Sequence, residues 1–192
     1  MKDVVIKHPK KYDNILNKTK DAGFNQLSDS KAGALLASLC ASKPKGKFIE
    51  LGTGTGLCTA WMLSGMCEHS SLVTVDNDKK LVFIAKKFLA DDPRVDFIVG
   101  DGENFITNAE KNSIDLIFAD TWPGKYNHLE EALALLKVGG VYLIDDMLPQ
   151  ENWPDNHDKK ADALINYLES RPDFTITKMC WSTGIIICVK NS

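Results

Sequence analysis

Phe48-Ile49-Glu50-Leu51-Gly52-Thr53-Gly54-Thr55-Gly56-Leu57-Cys58-Thr59-Ala60 is the stretch whose reading decides the fold. An apolar run closes on an acid, glycines follow at alternate positions, and an apolar, helix-compatible segment begins at once, which reads as strand, tight turn, helix. Gly52, Gly54 and Gly56 let the backbone take positive φ and approach a ligand, and the helix starting near Leu57 aims unpaired N–H groups at an anion. A lone G-x-G-x-G is equally consistent with a turn that binds nothing. Its surroundings have to decide.

Working outward, the same unit repeats. Strands are expected over residues 47–51, 71–75, 95–99, 114–119 and 141–144, with helices over 57–67, 78–90, 102–110 and 126–137 between them. The last of these helices is expected to end at Gly139-Gly140. Strands rich in Val, Ile, Leu and Phe without polar alternation suit a parallel sheet covered on both faces. Upstream, a weak helical stretch surrounds Tyr12 to Lys18, a turn falls at Gly23, and a helix runs from Ser28 or Asp29 to about Ser42 on the stripe Ala32, Leu35, Leu36 and Leu39. Downstream, a helix over 158–170 buries Ala161, Leu164, Ile165 and Leu168. The runs 174–179 and 185–190, joined by Ser182-Thr183-Gly184, can only pair antiparallel. The expected fold is α/β, doubly wound, with a seven-stranded, mostly parallel sheet whose last strand is antiparallel.

The 192 residues with 44% hydrophobic content fit one domain over 1–192 with a single sizeable core. Within it fall an N-terminal arm or lid over 1–28, a ligand-binding β/α core over 47–146, and a helix plus hairpin over 158–190. A formal net charge of −3 with scattered charges lacks the basic stripe of a nucleic-acid binder, so a small-molecule partner is expected instead. Five cysteines without C-x-x-C spacing read as reduced thiols. With no signal-peptide core and no apolar run near the ~18 residues that span a bilayer, a cytoplasmic protein without a membrane partner is expected.

The strand ends carry the chemistry. Glu50 lies near the end of the first strand, Asp76 ends the second, Asp101 follows the third, Asp120 the fourth, and Asp145 with Asp146 the fifth. Ligands of open α/β sheets bind beyond the carboxyl ends of the strands, so these acids ring one cleft, which calls for a cationic ligand, a metal ion, or both. Asp76 follows Gly56 by 20 residues, the interval at which a second-strand acid meets ribose hydroxyls. A nicotinamide dinucleotide would explain that acid, but the third glycine comes one residue early for G-x-G-x-x-G. No Gly-Lys-Ser/Thr follows for a P-loop.

Taken in order, Glu50-Leu51-Gly52-Thr53-Gly54-Thr55-Gly56, Val75-Asp76, Gly100-Asp101-Gly102, Asp120-Thr121-Trp122 and Asp145-Asp146 resemble the motifs of class I S-adenosylmethionine-dependent methyltransferases. Within these Rossmann-like enzymes they are most similar to the catechol and caffeoyl-CoA type of small-molecule O-methyltransferase, over residues 24 to 190. The resemblance implies S-adenosyl-L-methionine as cofactor. Glu50, Gly52, Thr53, Gly54, Gly56, Cys58 and Thr59 would form its methionine loop, and Asp76 with Asn77 would take the ribose. Asp101 with Gly102 would meet the adenine, and Asp120 and Trp122 would complete the pocket. It further implies a small hydroxylated acceptor and is compatible with a homodimer. By position, Asp120, Asp145 and Asp146 would bind Mg²⁺ or another divalent cation.

The chain departs from that pattern in three places. The lysine expected three residues after the fourth-strand acid is Pro123, with Lys125 two positions later as the catalytic candidate. The usual asparagine of the fifth-strand pair is Asp146, and the serine after the glycine turn is Cys58, with Thr59 beside it. Trp122 and Trp153 are candidates for walls of the site, while Trp181 suits packing. His157 is a conceivable base, but a solvated helix start after Pro154 suits it better. A non-catalytic cofactor-binding module and a nicotinamide-dependent oxidoreductase are the alternative functions.

Overall fold

The computed structural model describes residues 7–150 and 153–192. Residues 1–6 of the expected N-terminal arm and 151–152 of the loop after the fifth strand lie outside the described residues. In chain order the elements are α1 (Tyr12–Asp21), α2 (Ser30–Ala41), β1 (Lys47–Leu51), α3 (Leu57–Gly65), β2 (Ser71–Asp76), α4 (Lys79–Leu89) and β3 (Val95–Val99). They continue with α5 (Gly102–Asn108), β4 (Ile114–Ala119), α6 (Leu129–Ala134), β5 (Leu136–Ile144), α7 (His157–Glu169), β6 (Phe174–Met179) and β7 (Ile185–Lys190). Among the described residues no helix is long and apolar enough to cross a membrane.

The strands form one seven-stranded sheet in the order β3-β2-β1-β4-β5-β7-β6. β1 pairs in parallel with β2 on one side and β4 on the other, so strand order reverses between β1 and β4. β7 inserts between β5 and β6 and runs antiparallel to both. It alone is reversed, because the short link from β6 permits only a hairpin.

Successive side chains of a strand face opposite sides, and the central strands bury both. Phe48, Leu116, Phe118, Val141 and Leu143 join α1 to α4 in one core, while Ile49, Ile117, Ala119, Tyr142 and Ile144 join α5, α6 and α7 in the other. That is why these strands read as unbroken apolar runs. The helices begin at local signals: Asp29 accepts from the Lys31 N–H at 2.8 Å, and Asp78 from the N–H groups of Lys80 and Leu81 at 2.8 and 3.2 Å. α2 and α3 pack so closely that a Cβ on Gly65 would stand 1.9 Å from the Ala37 carbonyl oxygen.

α1 packs against α3 and α4. Tyr12 and Ile15 are buried, Thr19 Oγ1 hydrogen-bonds Thr55 Oγ1 at 2.7 Å, and Lys11 Nζ donates to Asp91 and to the Phe88 carbonyl at 2.7 Å.

The region after β4 departs from expectation. The helix expected over 126–137 shrinks to α6, and Gly139-Gly140 lie inside β5 rather than ending a helix. The reason is pairing: Leu136 sits opposite Ile114 and Val141 opposite Leu116, so residues 137–140 bulge out of the ladder. Gly139, at φ 79°, supplies the left-handed residue such a bulge needs. Residues 126–128, expected to open that helix, belong instead to a tight loop that runs from 121 to 128. The N–H groups of Lys125, Tyr126 and Asn127 all point to the Trp122 carbonyl, and Gly124, at φ 83°, offers its carbonyl to the buried Tyr142 hydroxyl at 2.7 Å.

Candidate active site

A cavity of about 590 Å³ opens beyond the carboxyl ends of β1, β2, β4 and β5, at the point where strand order reverses. Its volume lies within the range of small-molecule sites. One end is walled by the glycine loop, Asp76, Asn77 and Leu81, the other by Lys125, Tyr126, Asp146, Trp153 and His157. Phe24 to Ser28 close one side.

The glycine loop is pinned from beneath. The N–H groups of Gly52 and Thr53 both reach the Val75 carbonyl, at 2.9 and 3.3 Å, and the Gly54 N–H donates to Asp76 Oδ2 at 2.8 Å. Gly52, at φ 103°, passes so close to β4 that a Cβ would lie 2.8 Å from the Asp120 carbonyl oxygen. Gly56 packs away from the cavity, where its Cβ would meet that of Ala85 at 2.8 Å. Asp76 is the hub of this end, since its Oδ1 also accepts from the Asp78 N–H at 2.9 Å.

Glu50 lies under the loop and not in it. It is fully buried, and its Oε2 accepts from the hydroxyls of Thr59 at 2.5 Å and Thr74 at 2.6 Å, while its Oε1 has no partner. Burial drives its carboxyl up to about 7 against the pull of those two hydroxyls. Thr74 in turn bonds Thr53 at 2.6 Å, so the buried acid is tied to the loop through threonines.

At the other end, Asp145 is 1% exposed, and its Oδ1 accepts from the Thr183 hydroxyl and from the Asp146 N–H. Asp120 Oδ2 accepts from the Ser28 hydroxyl at 2.9 Å. Burial and then the Asp145 charge push the Asp120 carboxyl well above the usual range, with Lys125 pulling it back. Burial raises Asp145 as well. Lys125, only 5% exposed, donates from Nζ to the Asp145 carbonyl oxygen at 2.7 Å. The Gly124 turn folds the chain back, so this lysine returns to the rim although position 123 is proline.

Next to it stands an aromatic cluster. Tyr126 Oη and His157 Nε2 are 3.1 Å apart, and the His157 ring lies 4.5 Å from Trp153 and 5.8 Å from Trp122. Lys160 Nζ sits 4.0 Å from the Trp122 ring centre. His157 is 6% exposed, which replaces the solvated helix start expected of it. Burial, reinforced by the charges of Lys125 and Lys160, lowers its pKa.

Of the residues singled out from sequence, Gly52, Thr53, Gly54, Cys58, Asp76, Asn77, Asp120, Trp122, Lys125, Asp145 and Asp146 line this one cavity. Glu50 and Thr59 lie beneath the loop, Gly56 faces α4, and Asp101 caps α5 by accepting from the Glu103 N–H at 2.9 Å, with Gly102 packed near Pro123. Trp153 and His157 line the cavity, whereas Trp181 packs against the core. Sequence reasoning did not find Ser28, Tyr126 or Thr183. Each reaches the site through a contact distant in sequence. Among the described residues no group of three or more His, Cys, Asp or Glu side chains is placed to hold a metal ion, so Asp120, Asp145 and Asp146 share the cavity without forming a ligand set.

A glycine loop and strand-end acids around one cavity at the switch point of a doubly wound sheet define a Rossmann-like ligand-binding protein. Residues 49–147 match the sequence profile of a methyltransferase domain, and the chain belongs to that family. A protein of Mycolicibacterium vanbaalenii, provisionally named an O-methyltransferase, is 32% identical over 129 residues, which is 65% of this chain and 57% of that one. A Mycobacterium avium protein with the same provisional name is 35% identical over 118 residues, covering 58% of this chain and 53% of its own. The chain thus spans little more than half the length of these relatives. Among solved structures, the Bacillus cereus O-methyltransferase in complex with SAH superposes with a TM-score of 0.83 at 20% identity, over 98% of this chain and 94% of that one. The Streptomyces achromogenes O-methyltransferase TomG, involved in tomaymycin synthesis and in complex with SAM, gives 0.84 at 18%, over 98% and 93%. At such identities the likeness is one of fold.

Proposed function

We propose that this protein transfers the methyl group of S-adenosylmethionine to a hydroxyl oxygen of a small acceptor. The observation that carries this is the two-ended cavity: a glycine loop held by Asp76 at one end, and Lys125 among carboxylates and aromatic rings at the other. Names of the relatives and of the solved neighbours support it.

Under this proposal the loop from Gly52 to Gly56 lies against the methionine part of the cofactor. Asp76 and Asn77 take the ribose, as each Asp76 oxygen has a further lone pair beyond its present N–H donor. Glu50 and Thr59 shape the loop from below, and Cys58 and Trp122 line the pocket. Asp101 and Gly102 would reach the adenine only at the outer margin. When bound, the cofactor supplies a sulfonium-activated methyl group whose leaving group is a neutral thioether. The protein orients the acceptor for in-line attack, excludes water with Phe24 to Ser28, and sets Lys125 beside the reacting oxygen. The divalent cation implied by resemblance is left out of this mechanism, because the three aspartates do not gather into a ligand set. Five unpaired cysteines support a cytoplasmic location.

Calorimetric titration tests the proposal. S-adenosylhomocysteine should bind at one site per chain with micromolar affinity, and Asp76→Ala should weaken it at least about tenfold. Absence of binding to the wild-type protein overturns it.

A further inference from the structure

We propose that the ammonium of Lys125 is the resident cation of the acceptor end, so that the transfer proceeds without a divalent ion. This deepens the methyltransferase reading and rests on it.

Three observations converge. First, Lys125 is nearly fully buried, and an ammonium taken from water needs compensating charge. The carboxylates of Asp120, Asp145 and Asp146 line the same cavity, and Lys125 offsets the charge of the first two. Second, among the described residues one of the three N–H donors of Lys125 is engaged by a protein acceptor, the Asp145 carbonyl oxygen at 2.7 Å. Among the described residues no carboxylate closes an ion pair with it, so the other two donors are available to an acceptor oxygen. Third, the aspartate oxygens that a metal would need are partly committed: Asp145 Oδ1 to Thr183 and the Asp146 N–H, and Asp120 Oδ2 to Ser28. A dication placed among them would also face Coulomb repulsion from Lys125.

The chemistry balances without a metal. The acceptor hydroxyl gives its proton to bulk solvent as it enters the water-excluding cavity, and the oxyanion is held there by the free donors of Lys125. Its lone pair forms the C–O bond to the methyl carbon while the C–S pair returns to sulfur, which leaves uncharged. The lysine supplies charge stabilisation that a bound Mg²⁺ would otherwise provide.

The test uses Mn²⁺ alone as probe, on the full chain freed of metal by chelation, with bound ion read by electron paramagnetic resonance. S-adenosylhomocysteine binding is measured beside it. The wild type is expected to bind the nucleoside thioether and to leave the Mn²⁺ signal unquenched up to about millimolar concentration. Lys125→Met, with its carboxylates uncompensated, should bind Mn²⁺ at least about tenfold more tightly, and Lys125→Arg should restore the weak binding. One Mn²⁺ per wild-type chain at micromolar concentration overturns the inference, as does a folded Lys125→Met protein whose Mn²⁺ affinity is unchanged. If Lys125→Met does not fold, the wild-type titration decides alone. Failure of the wild type to bind the thioether refutes the methyltransferase reading instead, whatever the metal result.

Discussion

Replacing Glu50 by glutamine removes a buried titratable group while keeping its shape and an oxygen for the hydroxyls of Thr59 and Thr74. In the unfolded chain this carboxyl titrates near 4.5, and in the folded protein burial raises it to about 7. Between these values the folded state holds a proton that the unfolded state has released, so stability is fullest below pH 4.5 and declines as pH rises toward 7. At about 1.4 kcal/mol per pH unit, the gap corresponds to roughly 3 kcal/mol lost by the wild type across that window. Glutamine resembles the protonated acid in charge, and any cost of its amide at the unpartnered Oε1 position is constant with pH and drops out of the pH dependence. Asp120 and Asp145, also raised by burial, are present in both and cancel in the difference. Urea denaturation followed by tryptophan fluorescence at half-unit steps from pH 4.5 to 8 measures it. The variant should gain on the wild type by up to roughly 3 kcal/mol by pH 7 and hold that lead above it. A difference that stays flat, or that favours the wild type as pH rises, refutes a buried Glu50 with a raised pKa.

Two further outcomes are expected. Gly65→Ala would place a Cβ 1.9 Å from the Ala37 carbonyl oxygen, a backbone atom that cannot step aside, and should cost at least about 2 kcal/mol in thermal denaturation. Gly54→Ala meets only the Phe24 ring at 3.7 Å, so its cost should be about 1–2 kcal/mol, from the left-handed backbone at φ 50°. A loss in Gly65→Ala no larger than about 1 kcal/mol would show that α2 and α3 are not packed as described.

Most of the fold was legible because its signals are local. Apolar runs of five or six residues, a polar cap at Ser28 or Asp29, and a short link before the last strand each act within a few residues. The error around Gly139-Gly140 has the same origin. The stripe of Leu129, Ala132, Leu133 and Leu136 carries a helical period, but Leu136 is claimed by Ile114 across the sheet, and pairing outweighs propensity there. The departure from the lysine pattern at Pro123 moved the catalytic candidate to Lys125, but nothing in the sequence placed its side chain. Folded, the turn at Gly124 brings Lys125 to the Asp145 carbonyl, a contact 20 residues apart.

By itself, the sequence determined the doubly wound sheet, the glycine turn after the first strand and the row of strand-end acids, since strand period, glycine freedom and turn preference belong to neighbouring residues. Only the tertiary structure decided which of those residues share a cavity. It placed Glu50 beneath the loop with a raised pKa, drew Ser28 and Thr183 to Asp120 and Asp145, buried His157 among aromatic rings, and brought Lys125 into the cavity that the three aspartates line. These outcomes depend on burial and on distances between remote segments, which fix desolvation and Coulomb energies and which no local pattern encodes.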